Sequence, residues 1–313
     1  MEPRVLTEGL SKSYGDVDAL VDVSVSVGAG RVLAVLGHNG AGKTTLVDVL
    51  STRCVADSGV ARVCGFDVAR QGNQVRRRIG VATQFTALDD ALSGRDNLIL
   101  LARLLGDSRR QAQAAADEQL AAFGLTRAAN RLVRTYSGGM RRRTDLAACM
   151  LGRPLVLFLD EPSTGLDPVA CRRLWHKIKK LAEEGITIVL TTQYLEEAER
   201  LADDVIVLAG GRVVAAGTPR TLKEGVGRRL LTLTFLNPGQ GAAATNWLHR
   251  SGLEAVRNHE GSTLTVPLRH AQQAVAAMRV VDAMRLVVTD VRVTEPTLED
   301  VYLSLYRDPQ RKR

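Results

Sequence analysis

The sequence lacks three features: a long apolar run, a pattern of paired cysteines and a secretory leader. A membrane-spanning helix needs roughly 18 or more consecutive apolar residues. The best candidate, Leu98 to Leu105, is short and contains Arg103. The N-terminal segment MEPRVLTEGL has no basic region followed by an apolar stretch, so we expect no secretory signal. We therefore expect a chain without a membrane span of its own.

Cysteine is scarce, and its four positions are scattered along the chain. Cys54, Cys64, Cys149 and Cys171 show neither metal-ligand spacing nor the spacing of a redox pair. We expect them to be reduced thiols in the cytosol. The composition, with 45% hydrophobic and 24% charged residues, is that of an ordinary folded protein.

Acidic residues are fewer than basic ones, and the net charge is +8. A basic balance allows either nucleic acid or an anionic membrane surface as a partner. The arginine triplets Arg76 to Arg78 and Arg141 to Arg143 are too short to decide between these partners. We expect each triplet to be a solvated face.

The length of 313 residues suits two domains, which we place at residues 1–218 and 219–313. In the first, apolar runs alternate with amphipathic stretches, the pattern of an α/β domain. The first thirty residues alternate apolar and polar positions instead, which predicts an antiparallel edge against a parallel core. Residues 91–150 should be a helical insert. The predicted strands are Arg31–Leu36, Ile79–Thr83, Leu155–Asp160, Thr187–Thr192 and Val205–Ala209.

The second domain has a different pattern of predicted elements. They follow the order β-α-β-β-α-β and then a final helix. That order is typical of a ferredoxin-like α+β domain. The expected elements are Leu230–Leu236, Ala242–His249, Glu254–Asn258, Ser262–Leu268, Ala271–Val280, Arg285–Val293 and Thr297–Arg307.

A glycine-rich segment, GHNGAGKTT, directly follows the apolar run from Val32 to Leu36. Its spacing is typical of a phosphate-binding loop between a buried strand and a helix. The glycines allow several backbone N–H groups to face a phosphate, and the helix start adds its positive dipole end. Lys43 can reach the terminal phosphates, and the Thr44 hydroxyl can hold Mg²⁺. The sequence therefore predicts nucleoside triphosphate binding by Gly37, His38, Asn39, Gly40, Ala41, Gly42, Lys43, Thr44 and Thr45.

A second apolar run, Leu155 to Leu159, ends in Asp160 and Glu161. In a parallel sheet the carboxyl end of a central strand faces the ligand. We expect Asp160 to hold the Mg²⁺ that Thr44 also contacts. Glu161 is placed to act as the general base for an attacking water.

Two further segments lie between these motifs. Gln84 ends a predicted strand, where its amide could reach Mg²⁺ or the lytic water. Ser137, Gly138 and Gly139 precede a helix-forming run and predict a second helix N-terminus with free N–H groups, which is a second anion site. One nucleotide needs one such loop, so the second suggests a site completed on another copy of the chain.

Together these motifs resemble those of the ATP-binding subunits of ABC transporters over residues 1 to about 218. Few residues depart from the family's motifs. The matching segments are Tyr14 (adenine-stacking aromatic), Gly37–Thr45 (Walker A), Gln84 (Q-loop), Tyr136–Met140 (signature), Leu155–Glu161 (Walker B) and Ser163–Asp167 (D-loop).

The resemblance implies a P-loop NTPase core of the α/β class, with a parallel sheet, an antiparallel β edge and a helical subdomain at about residues 85–150. It also implies ATP and Mg²⁺ as cofactors and a head-to-tail homodimer with two ATP molecules between the subunits. Each ATP would contact Lys43, Thr44 and Asp160 of one copy and Ser137 and Gly139 of the other. Asp167 belongs to the same predicted nucleotide site.

Two positions depart from the family pattern. The signature reads YSGGM rather than LSGGQ, but the serine and the glycines are kept. Gln193 stands where the family has a switch histidine. A glutamine amide can still hydrogen-bond a phosphate oxygen or the lytic water, but it cannot become cationic. We therefore expect slower or less pH-sensitive hydrolysis. The alternative is that Gln193 only caps the next helix.

The family resemblance predicts a separate integral-membrane permease as partner and a peripheral position on the cytoplasmic face of the membrane. The segment from Thr297 to Leu303 and the TTQYLEEAE stretch resemble bacterial drug-resistance exporters of the daunorubicin type. Two alternatives remain: an importer subunit, and a soluble ABC-type ATPase that acts on nucleic acid or the ribosome. The single motif set and the absence of Cys-x-x-Cys pairs disfavour the soluble ATPase, so no nucleic acid partner is expected.

Overall fold

The computed structural model describes residues 2–83, 88–226, 229–268 and 271–307. It divides into two compact units, Met1–Pro219 and Arg220–Arg313. The strands of the first unit are β1 (Val5–Tyr14), β2 (Val17–Val27), β3 (Val32–Leu36), β4 (Ser58–Val63), β5 (Phe66–Asp67), β6 (Ile79–Ala82), β7 (Val156–Asp160), β8 (Thr187–Thr192), β9 (Asp204–Ala209) and β10 (Arg212–Gly217). Its helices are α1 (Lys43–Leu50), α2 (Gly72–Arg76), α3 (Gly94–Leu104), α4 (Arg109–Ala122), α5 (Gly138–Met150), α6 (Pro168–Glu183) and α7 (Leu195–Leu201).

The central sheet has six strands in the order β10-β9-β3-β8-β7-β6. Neighbouring strands among β9, β3, β8, β7 and β6 pair in parallel, and β10 pairs with β9 in the antiparallel sense. All five strands predicted from the sequence are present, with bounds that differ by at most one residue. The strands β3, β7 and β8 are buried along their whole length, as expected for central parallel strands covered on both faces. The antiparallel edge strand β10 was not predicted.

The antiparallel strands at the start of the chain form a sheet of their own. Its order is β2-β1-β4-β5, and every pair is antiparallel. The predicted antiparallel edge packed against the parallel core is confirmed, and the structure adds that these strands form a sheet separate from the parallel one. The two sheets share one core with α1, in which Leu10, Leu46 and Phe158 are fully buried. The alternating face of the first strands therefore packs onto the core that the parallel sheet shares with α1.

The insert between β6 and β7 is helical, as predicted, and contains α3, α4 and α5. The Ser93 side chain caps α3 by accepting from the Asp96 N–H. Ser108 and Gln111 form a reciprocal capping box at the start of α4. These caps fix where each helix begins. Within the described ranges, no helix is both long and apolar enough to cross a bilayer.

The second unit is an antiparallel sheet covered by helices. After α8 (Pro219–Val226), its elements are β11 (Arg229–Phe235), α9 (Pro238–Arg250), β12 (Val256–Arg257), β13 (Thr263–Leu268), α10 (Ala271–Ala283), β14 (Val288–Thr294) and α11 (Leu298–Arg307). The strand order is β12-β13-β11-β14, with antiparallel pairs throughout. The central strands of this sheet are β11 and β13, with β14 beside β11 and β12 beside β13. This is the ferredoxin-like arrangement expected from the element sequence. Helix α8 was not predicted.

Candidate functional site

The glycine-rich loop connects β3 to α1 and lies tightly against its surroundings. Gly42 caps the helix with φ of 103°, a left-handed conformation that favours glycine. A Cβ on Gly42 would lie 2.3 Å from the Ala19 carbonyl oxygen, and one on Gly37 would lie 2.7 Å from that of Leu208. Neither position has room for a side chain. The loop backbone, with its N–H groups, is therefore fixed in place by packing.

Lys43 is buried at the first position of α1. Its Nζ donates to the carbonyl oxygens of Gly37 at 2.9 Å and of His38 at 3.2 Å. It also forms an ion pair with Glu161 Oε1 at 3.3 Å. The Lys43 ammonium thus lies over the loop, at the place where it would contact a bound phosphate. The two loop motifs that the sequence predicted to cooperate are in direct contact.

Asp160 ends β7 and is surrounded by hydroxyl groups. Thr44 Oγ1 donates to Asp160 Oδ2 at 3.1 Å, and Thr191 on β8 donates to Oδ1. Asp160 is only 3% exposed. A carboxylate and a hydroxyl that meet beside a phosphate loop are the oxygen ligands that Mg²⁺ prefers. The residues present therefore fit the predicted metal site.

Glu161 has an unusual backbone conformation, with φ of 46° in the left-handed region. Such a conformation costs a non-glycine residue of order 1–3 kcal/mol and persists only when the surroundings enforce it. The Glu161 N–H donates to the carbonyl oxygen of Thr191 at 3.1 Å and to its hydroxyl at 3.0 Å. The Thr164 hydroxyl lies 3.4 Å from Glu161 Oε2. The turn therefore aims the carboxylate toward Lys43 and the phosphate loop.

The serine-glycine motif forms the start of α5, as the sequence predicted. The Ser137 side chain caps this helix by accepting from the Met140 N–H at 3.3 Å. A Cβ on Gly139 would lie 3.0 Å from the Ala170 Cβ on α6, so this glycine allows the two helices to approach closely. Asp167 caps α6 by accepting from the N–H groups of Val169 and Ala170, both at 2.9 Å. The predicted second anion site thus lies at a corner between two capped helices.

Tyr136 explains the departure of the signature from its usual leucine. Its ring is buried, and its hydroxyl donates to the Ala128 carbonyl oxygen at 2.7 Å. Burial raises the pKa of Tyr136 above its usual value. A Cβ on Gly94 would collide with the tyrosine hydroxyl, so glycine at that position makes room for it. Through its buried ring and this hydrogen bond, Tyr136 anchors the loop before Ser137 to the helical insert.

Tyr14 lies at the end of β1 with half of its side chain exposed. Its hydroxyl is 3.3 Å from Cys54 Sγ, and this hydrogen bond is the main reason why its pKa is raised. Lys12 Nζ lies 5.4 Å from the ring centroid. An exposed aromatic face beside α1 is compatible with stacking on a base.

The two predicted glutamines differ in what the structure shows. Gln193 follows β8 and is exposed. The residue that caps α7 is Tyr194, without a side-chain cap bond, so the alternative that Gln193 only caps this helix is wrong. Gln84 lies outside the described residues.

One arginine and one glutamate near the site were missed. The triplet Arg141 to Arg143 was expected to be a solvated face, but Arg142 is buried, which makes that expectation wrong. Glu197 on α7 is fully buried as well: the Ser163 hydroxyl donates to it, and Trp175 Nε1 donates to its Oε1 at 3.0 Å. Burial raises the pKa of Glu197 above its ordinary value. Charge alone gave no sign of either burial, because the partners come from distant segments.

The fold and this site together define a P-loop nucleoside triphosphatase. Residues 20–164 match the ABC transporter family. The chain is 43% identical over 308 residues to the daunorubicin resistance ATP-binding protein DrrA3 of Streptomyces coeruleorubidus, covering 98% of this chain and 97% of that protein. It is 35% identical to the Nod factor export ATP-binding protein I of Rhizobium sp. (strain N33), with 95% of each chain covered.

A solved ATP-binding subunit of an ABC transporter has a similar fold, with a TM-score of 0.63 and 28% identity. The match covers 71% of this chain and 92% of that one. The chain therefore belongs to the ATP-binding subunits of the ABC transporter family. It is an ATP-binding protein and an ATP hydrolase of the transport-coupled type. The predicted family, fold class and enzyme class are confirmed.

Proposed function

We propose that two copies of this chain bind two Mg-ATP molecules head to tail and hydrolyse them to drive a membrane permease. The observation that carries this proposal is a cluster of four side chains. Lys43 Nζ lies 3.3 Å from Glu161 Oε1, and Thr44 Oγ1 lies 3.1 Å from Oδ2 of Asp160, the residue before Glu161. These groups are the lysine, base, metal carboxylate and metal hydroxyl that phosphoryl transfer needs.

Each residue has a role in the proposed reaction. Lys43 leaves its loop carbonyls and neutralises the terminal phosphates. Asp160 and Thr44 would hold Mg²⁺, which would offset negative charge on the phosphate oxygens. Glu161, released from its ion pair with Lys43, accepts a proton from the attacking water. The water oxygen bonds to the γ-phosphorus while the bond to the β–γ bridging oxygen breaks.

The remaining predicted residues complete the site. Tyr14 would stack on the adenine, and Gln193 would hydrogen-bond the γ-phosphate or the lytic water. Gln84 would reach Mg²⁺ or the lytic water. Ser137 and Gly139 of one copy would contact the γ-phosphate bound by the other copy, with Asp167 beside them. In support, the described contacts of Ser137 and Gly139 are to α5 and α6, which leaves the start of α5 available to a ligand from outside the chain.

A groove between β6, α3 and α5 is the surface that we propose for the permease. It is lined by apolar side chains of α3 and by basic residues before β6, among them Leu101, Leu104, Leu105, Arg76 and Arg77. Leu104 is 75% exposed and Leu105 is 63% exposed. Exposed leucines in a groove rimmed by charge are typical of an interaction site. Such a partner would hold the chain on the cytoplasmic face of the membrane.

We propose export of a drug or another hydrophobic compound as the transport task. Support comes from the names of relatives that match nearly the whole chain, because these are resistance and export subunits. The second unit, residues 220–313, then serves as an accessory or regulatory domain. The two names also differ in cargo, which agrees with cargo contacts belonging to the permease.

The test is the ATPase activity of the purified chain, alone and with its candidate permease in lipid. We expect stimulation by the permease and further stimulation by transported compounds. Activity that ignores every permease but rises with DNA or ribosomes would overturn the transporter function and leave only the ATPase.

A further inference from the structure

Arg142 lies in the second turn of α5 and is 9% exposed. Its guanidinium donates to three main-chain carbonyl oxygens from outside its own helix. Nε donates to Pro162 at 3.0 Å, Nη1 to Thr83 at 2.8 Å and Nη2 to Asp160 at 3.2 Å. One side chain of the signature helix is therefore bonded to two separate segments of the ATP site.

The positions of these acceptors are specific. Asp160 and Pro162 are the residues on either side of Glu161, so Arg142 holds both ends of the turn that carries the general base. Thr83 is the last residue before Gln84 in sequence. The opposite side of the turn is held by Thr191, which accepts from the Glu161 N–H. The left-handed conformation of Glu161 is thus enforced by one residue from β8 and one from α5.

Packing and charge alone do not account for this arrangement. A buried guanidinium is costly to desolvate, and burial lowers the pKa of Arg142 despite the attraction of the carboxylates of Asp145, Glu197 and Asp160. Asp145 stands three residues later on the same helix, yet one of its oxygens, Oδ2, has no hydrogen-bond partner in the described part of the chain. The guanidinium reaches carbonyls flanking the general base instead.

We infer that Arg142 is a positioning residue that links the two ATP sites of the dimer, an inference that rests on the proposed function. Ser137 and Gly139 at the start of α5 would contact ATP held by the other copy, while Glu161 acts on the ATP of its own copy. Arg142 is five residues beyond Ser137, or about 7.5 Å along the helix. A shift of the helix start on binding ATP therefore moves the carbonyls that set the Glu161 turn.

The test uses the full-length chain with Arg142→Gln, Arg142→Lys and Arg110→Gln. Gln has too few donors for three carbonyls, whereas Lys keeps the charge and some of the donors. Arg110 is exposed on α4 in the same helical insert, so its variant controls for the charge change. For each protein the kcat, the KM, the Hill coefficient for ATP, the affinity for a fluorescent ATP analogue and the melting curve are measured.

We expect Arg142→Gln to lower kcat at least about tenfold, as small misplacements of catalytic groups do. Its Hill coefficient should fall toward 1, while KM and analogue affinity change less than about twofold. Arg142→Lys should recover part of kcat, and Arg110→Gln should behave as wild type. If Arg142→Gln is poorly folded, Arg142→Lys must still show a reduced Hill coefficient and a reduced kcat, with kcat calculated per analogue-binding site.

Two results would overturn the inference: unchanged kcat and cooperativity in both Arg142 variants, or losses of kcat and analogue binding in equal proportion, which would mark a purely structural residue. Failure of the proposed function looks different, because wild type and Arg110→Gln would then hydrolyse ATP with a Hill coefficient of 1 and without any response to a permease.

Discussion

The two halves of the ATP site are built in different ways. The phosphate-loop half is connected internally: Lys43 contacts Glu161, and Thr44 contacts Asp160. The signature half is a helix start whose described side-chain contact, from Ser137, is to its own helix. One half is a closed cluster of opposite charges. The other is a corner between two capped helices that offers N–H groups.

This difference separates two tasks. In the proposed mechanism the charged cluster binds and activates ATP within one chain, and Lys43 and Glu161 neutralise each other until the ligand arrives. In the proposed dimer the signature half only needs to recognise a phosphate that is already held, which a capped helix N-terminus can do through its N–H groups. Binding should therefore depend on the first half, and closure of the dimer with hydrolysis should depend on both.

The sharpest way to break the phosphate-loop half is Lys43→Ala. Removing the ammonium deprives the terminal phosphates of their counter-charge, so we expect hydrolysis to fall by about 10²–10³-fold or more and ATP affinity to fall with it. Steady-state ATPase assays and equilibrium binding measure the two losses. Lys179→Ala, at an exposed position of α6, is the matched control. Retention of ATP affinity by Lys43→Ala would remove the distinction between the halves.

Ser137→Arg tests the signature half. The bulky side chain should block the second copy, so we expect kcat to fall about 10²-fold, the loss typical of one removed phosphate-stabilising contact. ATP affinity of the single chain should stay within about twofold. The control is Ser108→Arg, which removes the cap of the neighbouring helix α4 without touching the site. An equal loss of affinity in Ser137→Arg would show that one chain supplies both halves.

Mixing the two inactive variants sharpens this result. A pair of one Lys43→Ala chain and one Ser137→Arg chain contains one site with an intact loop and an intact signature. We expect the mixture to regain ATP hydrolysis that neither variant has alone. Sites confined to single chains would regain nothing.

Asp145 on the signature helix should make stability depend on pH. Burial raises its pKa to about 6 from the usual 3.8. Because the folded-state pKa is the higher one, the carboxyl destabilises the fold as pH rises from about 4 to about 6, and it does so fully above that. The asparagine of Asp145→Asn cannot ionise. The free energy of unfolding of the variant, relative to that of wild type, should therefore increase by about 2–3 kcal/mol as pH rises from about 4 to about 6. Urea unfolding at several pH values measures this gain, and a constant difference would contradict it.

The smallest expected effect is that of Gln193→His. A histidine can become cationic and stabilise the γ-phosphate during hydrolysis, so we expect turnover to rise a few-fold, about 1 kcal/mol in barrier. A new pH dependence near the histidine pKa of about 6.5 should accompany it. The kcat profile over pH tests both expectations. A slower variant would mean that the amide of Gln193 suits this site better than an imidazole.

The sequence predicted the parallel strands and the loops between them, because buried strands and phosphate loops have local signatures. The run Val32–Leu36 followed by glycines is one example. It did not predict that the first strands form a sheet of their own with β4 and β5, since alternation tells which face is buried but not which strands pair. It also missed the burial of Arg142 and Glu197. The partners of Arg142 (the carbonyls of Thr83 and Pro162) and those of Glu197 (Ser163 and Trp175) are distant in sequence, and no local pattern marks them.

Shared ATP sites are the central claim, and the mass of Glu161→Gln in saturating Mg-ATP tests them most directly. Without its general base the chain should bind ATP but fail to hydrolyse it, so the closed state should persist. We predict a dimer with two bound ATP molecules, whereas Lys43→Ala under the same conditions should stay monomeric. A Glu161→Gln protein that remains a monomer with one ATP bound would contradict the account.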